Sequence, residues 1–253
     1  MNNTFGFSPR VLELAARAEE TARERFNAID AVTEYNQQKV LAAFINNNVS
    51  EACFGASTGY GYGDRGRETL DRIVADSFGA EDALIRHSFT CGTHTLGVML
   101  YALLRPGETM LCVTGRPYDT ICPVIGIAGE PGQGSLTDLG VKYKEVALTA
   151  DGKIDLEGVK DALCADKSIR VVYLQRSRGY SLRPSLSARE IGEAAETVKK
   201  YSSAVVAVDN CYGEFVQKYE PVALGADIMA GSLIKNPGGG IAPTGGRSEE
   251  HTV

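Results

Sequence analysis

The run Gly231-Ser232-Leu233-Ile234-Lys235-Asn236-Pro237-Gly238-Gly239-Gly240 sets one lysine between an apolar stretch and a glycine loop. An amine in that position is partly desolvated yet free to reach a ligand, which suits a nucleophile. Upstream, Val205-Val206-Ala207-Val208-Asp209 reads as a buried strand ending in a carboxylate, and the 235 − 209 = 26 positions between Asp209 and Lys235 leave room for one crossover. A strand-end Asp followed by a loop Lys is what pyridoxal phosphate chemistry requires. The amine bonds the cofactor aldehyde, and the carboxylate keeps the pyridine nitrogen protonated so that the ring absorbs the electrons of a substrate carbanion. Each residue alone also has a plainer reading: Lys235 as a solvated strand end, and Asp209 as the magnesium-binding strand end of a nucleotide hydrolase. The second is excluded, because the chain holds no G-x-x-x-x-G-K-[ST] loop.

Two more segments stand in the order that such chemistry needs. Ser88-Phe89-Thr90-Cys91-Gly92-Thr93-His94-Thr95 follows the apolar Ala83-Leu84-Ile85 and opens a helical pattern through Leu96, Leu100, Leu103 and Leu104. Gly92 and Thr93 therefore fall at a helix N-terminus, where free N–H groups and the helix dipole favour a phosphate, although an ordinary cap has the same composition. Gly115-Arg116-Pro117-Tyr118-Asp119-Thr120 follows the strand Met110-Leu111-Cys112-Val113-Thr114. Tyr118 on that loop can lie against a planar ring or pack on its own domain.

With these segments in order, the chain resembles the fold-type I pyridoxal phosphate enzymes, and among them the methionine gamma-lyase-like group also called aluminium resistance proteins. The resemblance runs from about Phe26 to Gly246 and rests on Tyr60-Gly-Tyr62-Gly-Asp-Arg65, Cys91-Gly-Thr-His94, Gly115-Arg-Pro-Tyr-Asp-Thr120, Val208-Asp-Asn-Cys-Tyr-Gly213 and Ser232-Leu-Ile-Lys-Asn-Pro-Gly-Gly-Gly240. It implies that Lys235 carries the covalent cofactor link, Asp209 pairs with the pyridinium, and Tyr118 stacks on the ring and protonates a departing sulfur. It implies that Gly92, Thr93 and Ser232 bind the cofactor phosphate. Tyr62 and Arg65 match the pair that a neighbouring subunit contributes there, with a spacing that departs from the usual Tyr-x-Arg. The implied activity is carbon–sulfur lysis of a sulfur amino acid such as methionine or cystathionine, in a homodimer or homotetramer. An aminotransferase or decarboxylase would use the same Lys and Asp. A catalytically silent fragment or a metal-tolerance binding protein is the reading from another class.

The elements that position these residues follow from periodicity. Ser8-Pro9 reads as a helix start behind which Val11, Ala15, Ala18, Ala22, Phe26 and Ile29 recur at helical spacing, and a second helix is predicted from Ala31 to Ile45. From Arg67 helices alternate with short apolar strands, predicting an α/β fold: a mostly parallel sheet covered by helices on both faces, a three-layer sandwich. Ligands in such sheets gather at the carboxyl ends of strands, where Gly92, Tyr118 and Asp209 fall. The glycine-rich stretch 126–140 is predicted to be a loop over the site. The expected division is an arm over 1–60, the cofactor domain over 61–246 and a tail over 247–253.

A rival motif, Gly61-Tyr-Gly63-Asp-Arg-Gly66 with Glu81 beyond it, matches the dinucleotide fingerprint, but no apolar strand precedes Gly61 and Glu81 comes before a strand instead of ending one. Cys91 and His94 have C-x-x-H spacing without a second ligand pair, so no metal is expected. The 253 residues carry 43% apolar and 23% charged side chains and a net charge of −6, which suits a globular enzyme and argues against nucleic acid or an anionic membrane as partner. No signal peptide or long apolar run is present, and six scattered cysteines read as reduced thiols, so the expected location is the cytoplasm.

After Gly246 the sequence leaves the family pattern. Arg247-Ser-Glu-Glu-His-Thr matches the translation of a sequencing adapter, so 247–253 is expected to be a tail without functional meaning. On that expectation the family's substrate-carboxylate Arg and the last strands of the sheet lie beyond this chain.

Overall fold

The computed structural model describes residues 3–60 and 62–251. Seven strands form one sheet: β1 (Asp82–Arg86), β2 (Thr109–Cys112), β3 (Lys142–Glu145), β4 (Ile169–Gln175), β5 (Val205–Asp209), β6 (Ile228–Ser232) and β7 (Gly246–Glu250), in the order β1-β7-β6-β5-β4-β2-β3. All are parallel except β7, which runs antiparallel to both β1 and β6. The apolar runs form strands because both faces are buried, as the near-continuous Val, Ile and Leu of β4 and β5 require. Val206 and Val208 point to one face, where α2 (Arg65–Phe78), α5 (Leu156–Ala165) and α6 (Ala188–Tyr201) cover them with Phe78, Leu163 and Ile191. Val205 and Ala207 point to the other, under Leu96, Met99 and Leu100 of α3 (Gly92–Leu103) and Ile125 of the short α4 (Cys122–Ile125). The result is the predicted three-layer α/β sandwich.

Several boundaries differ from the sequence reading. The two N-terminal helices are one, α1 (Pro9–Asn46), with Ser8 as N-cap and Pro9 in its first turn; no Gly or Pro interrupts it, and nothing between Ile29 and Ala31 breaks the backbone ladder. Its anchor to the sheet domain is Asn36, whose Nδ2 donates to the carbonyls of Phe215 and Gln217, both at 2.9 Å. The strand predicted at 110–114 pairs over Thr109–Cys112 only. Segment 126–140 does not cover the site. Asp138 gathers it into a compact turn by accepting from the N–H groups of Gly132, Gly134 and Ser135, and Leu136 anchors it under α3. Finally, residues 247–250 of the expected tail pair, together with Gly246, as β7 between β1 and β6 instead of lying outside the sheet.

Candidate active site

β5, β6 and the N-terminus of α3 converge on one cavity of about 260 Å³, lined among others by Gly92, Thr93, Tyr118, Asp209, Ser232 and Lys235. These are six of the eight predicted site residues. Tyr62 and Arg65 are exposed and lie away from it, at the start of α2. Gly61 of the rival motif lies outside the described residues; Gly66 serves packing, since a Cβ there would meet the carbonyl oxygen of Cys53 at 2.3 Å. His94 also leaves the cavity, its Nδ1 accepting from the N–H of Thr90 at 3.2 Å.

α3 begins with a weak cap. The Cys91 sulfur accepts from His94 N–H at 3.4 Å, while the N–H groups of Gly92 and Thr93 make no hydrogen bond among the described residues. Free N–H groups at the positive end of a helix suit an anion. Gly92 is required by close approach: a Cβ would stand 3.1 Å from that of Ser232. Ser232 Oγ accepts from Ile234 N–H at 3.3 Å, which leaves its own hydrogen free to donate into the cavity. Thr120, unassigned from sequence, adds a hydroxyl 2.6 Å from that of Thr93.

Asp209 closes β5 and is 5% exposed. One carboxylate oxygen accepts from Cys211 N–H at 3.0 Å, and the other has no partner among the described residues. Burial raises its pKa, with the Cys211 hydrogen bonds and the charges of Arg247 and Lys235 pulling the other way. A buried carboxylate with a free oxygen is suited to a cationic N–H, which a pyridinium provides. The Cys211 thiol is pushed up by burial and by Asp209, so it is no nucleophile at neutral pH.

Behind Asp209, a buried network holds the turn that follows it. Arg176 donates to Asn210 Oδ1 at 2.8 Å, Glu220 Oε2 at 3.0 Å and Gln217 Oε1 at 2.8 Å, and Asn210 Nδ2 donates to Glu220 at 3.0 Å. The turn ends in Tyr212, which takes the left-handed φ of 67°. That conformation disfavours a side-chain-bearing residue and marks a site where geometry outranks backbone comfort. Tyr212 thereby meets Lys235, whose Nζ donates to its hydroxyl at 2.6 Å and lies 4.4 Å from its ring centre. The Tyr212 hydrogen bond raises the lysine pKa and outweighs the desolvation that would lower it. The partial desolvation expected from sequence is thus present but does not dominate. Tyr118 is fixed through its N–H, which donates to Gln175 Oε1 at 2.6 Å, and its hydroxyl donates to that of Tyr180 at 3.2 Å, which keeps Tyr118 protonated well into alkaline pH.

The sequence profile of the methionine gamma-lyase family matches residues 11–249, nearly the whole chain. The chain belongs to the methionine gamma-lyase family. Over 219 residues it is 48% identical to the uncharacterized protein YnbB of Bacillus subtilis, covering 86% of this chain and 52% of YnbB. A carbon–sulfur lyase involved in aluminum resistance from Clostridium novyi NT superimposes with a TM-score of 0.92 at 47% identity, over 97% of this chain and 58% of that one. CalE6, a methionine gamma lyase from Micromonospora echinospora, shares the fold at a TM-score of 0.56 and 23% identity over 75% of this chain and 44% of that one. The chain spans about half the length of the curated relatives it matches.

Among the residues lining the cavity, the sequence reading assigned no role to Tyr212, Thr120 or Ser177. The signal for Tyr212 was its place three residues past the strand-end Asp, which one tight turn returns to the cavity. Nothing in the sequence announces the turn that swings it toward Lys235.

Proposed function

We propose that this chain is the lysine-bearing part of a pyridoxal phosphate-dependent carbon–sulfur lyase acting on a sulfur amino acid. The observation that carries this reading is a single cavity presenting a loop lysine, a buried half-satisfied carboxylate and an unfilled helix N-terminus at three of its sides. When bound, pyridoxal phosphate supplies an electron sink for negative charge at the substrate Cα.

The residues divide the work. Gly92 and Thr93 N–H groups with the Ser232 and Thr120 hydroxyls would hold the phosphate. Asp209 would keep the ring nitrogen cationic, and Tyr118 would cover the ring. Lys235 Nζ would be the covalent anchor and the base that takes the Cα proton. Tyr212 orients that amine through the 2.6 Å hydrogen bond. Tyr118, held protonated beside Tyr180, gives its hydroxyl proton to the departing sulfur. Tyr62 and Arg65, exposed and away from their own cavity, are suited to completing the phosphate site of a second subunit.

Borohydride reduction of the cofactor-loaded protein followed by peptide mapping tests the assignment. The label is expected on Lys235, and Lys235→Ala should lose it while keeping weak noncovalent binding. A label on Lys167, Lys199 or another lysine would overturn the site. For the shared phosphate site, mixing Arg65→Ala with Lys235→Ala subunits should regenerate lyase activity that neither has alone; mixtures as inactive as the parents would refute a subunit-borne Arg65.

A further inference from the structure

Tyr118 lines two cavities: that of Lys235, and a second of about 430 Å³ between the loop after β2 and the loop after β4. Arg116, Arg178 and Arg183 line it, against one carboxylate, Asp119. None of the three arginines forms an ion pair among the described residues. Arg183 spends its guanidinium on carbonyls, donating to Ser177 at 2.6 Å, Gln175 at 2.9 Å and Pro184 at 2.9 Å, and Arg116 donates to Ile127 O at 3.0 Å. The Arg178 side chain makes no hydrogen bond among the described residues and also lines a smaller cavity shared with Tyr118 and Tyr212. Its loop packs on Tyr118: a Cβ on Gly179, which has φ 58°, would lie 3.4 Å from the Tyr118 ring.

We propose that this arginine-lined cavity, with Arg178 as its free guanidinium, is the receptor for a carboxylate carried on the departing thiol half of the substrate. The proposal rests on the lyase reading and narrows it to thioether amino acids whose leaving half is itself anionic. On the lyase reading Tyr118 gives its proton to the departing sulfur, so atoms beyond the sulfur come next to the second cavity that Tyr118 also lines. A bare methyl sulfide would offer that cavity nothing to bind, whereas a carboxylate matches the paired N–H donors of a guanidinium. Three guanidinium groups facing one acid leave the cavity with an excess of two positive charges, and Arg183, half removed from water without a counter-ion, is eased by an arriving anion.

The test compares two isosteric probes, S-(2-carboxyethyl)cysteine and S-(2-carbamoylethyl)cysteine, which share the α-amino and α-carboxylate groups and differ only in charge at the far end. Equilibrium binding of both to the full chain is measured by calorimetry, with pyridoxal phosphate capture followed by absorbance in parallel samples. The carboxylate probe should bind about tenfold or more tightly, as a charge-assisted hydrogen bond implies, and the advantage should shrink with salt. In Arg178→Gln, which replaces an exposed side chain, the advantage should disappear while cofactor capture is unchanged. Equal affinities in the parent chain, binding of neither probe, or an advantage that survives Arg178→Gln would overturn the proposal. So would an equal loss for both probes in the variant, which would assign Arg178 to the α-carboxylate. Cofactor capture that fails while the carboxylate preference persists would sink the lyase reading and leave the receptor standing.

Discussion

Glu249→Gln probes the most heavily charged part of the interior. Arg247 is fully buried between Glu214, whose Oε1 it meets at 2.7 Å, and Glu249, to which its Nη1 donates. One guanidinium faces two carboxylates, and Glu214 Oε2, Glu249 Oε1 and Arg247 Nε have no hydrogen-bond partner among the described residues. Burial pushes Glu249 from its ordinary 4.5 up to about 7 despite the attraction of Arg247. A folded-state pKa above the unfolded one means that the native protein binds the proton more tightly. Its stability is therefore full below about pH 4.5 and falls as pH rises through about 7. A raise of that size corresponds to a loss on the order of 3 kcal/mol, a large part of a typical domain's stability. The glutamine keeps the size and an acceptor for Arg247, removes the charge that must be neutralised, and leaves Arg247 and Glu214 as a balanced pair. Urea unfolding of parent and variant at about pH 5 and about pH 8 is the assay. The parent should lose up to about 3 kcal/mol more than the variant over that interval, and the variant should be the more stable protein at the alkaline end. A variant with the same pH dependence as the parent, or one less stable at about pH 8, would refute the reasoning.

Two predictions concern the site. Asp209→Asn should stabilise the cofactor-free protein, because an unpaired buried carboxylate is removed, yet lower both cofactor retention and turnover in a full-length lyase; thermal unfolding and an elimination assay separate the two effects, and wild-type turnover would show a merely structural carboxylate. Tyr212→Phe should shift the pH dependence of cofactor capture by Lys235 downward, since the hydroxyl is the largest influence raising that amine; an unshifted profile in a stopped-flow absorbance series would remove Tyr212 from its orienting role.

β5 and β6 were legible because a strand buried on both faces must be apolar throughout, and Asp209 and Lys235 stand out by breaking those runs. Gly92 was legible from the switch between strand and helix periodicity. The single helix α1 was not, because its exposed faces carry no constraint on phase and a lapse in apolar spacing near Asp30 reads as a boundary. β7 was hidden more completely. Gly-Arg-Ser-Glu-Glu has no strand pattern, and its pairing comes from the slot between β1 and β6. Tyr212 and the Arg176 network depend on one left-handed turn and on partners 10 to 44 positions apart, which local spacing does not encode.

The antiparallel seat of β7 also sets an order of assembly. β1 touches the rest of the sheet through β7, and its first residue, Asp82, pairs with Glu250, 250 − 82 = 168 positions along the chain. Closing a loop of that length is slow, and β1 remains without its sheet partner until the ribosome has released residues 246–250. Gly92 lies shortly after β1 and Ser232 ends β6, so the two halves of the proposed phosphate cradle are joined by a strand made after both. Strands β2 to β6 can zip together before β7 is made, whereas the proposed phosphate cradle needs β7, and phosphate affinity would appear late in refolding as a readout of sheet closure.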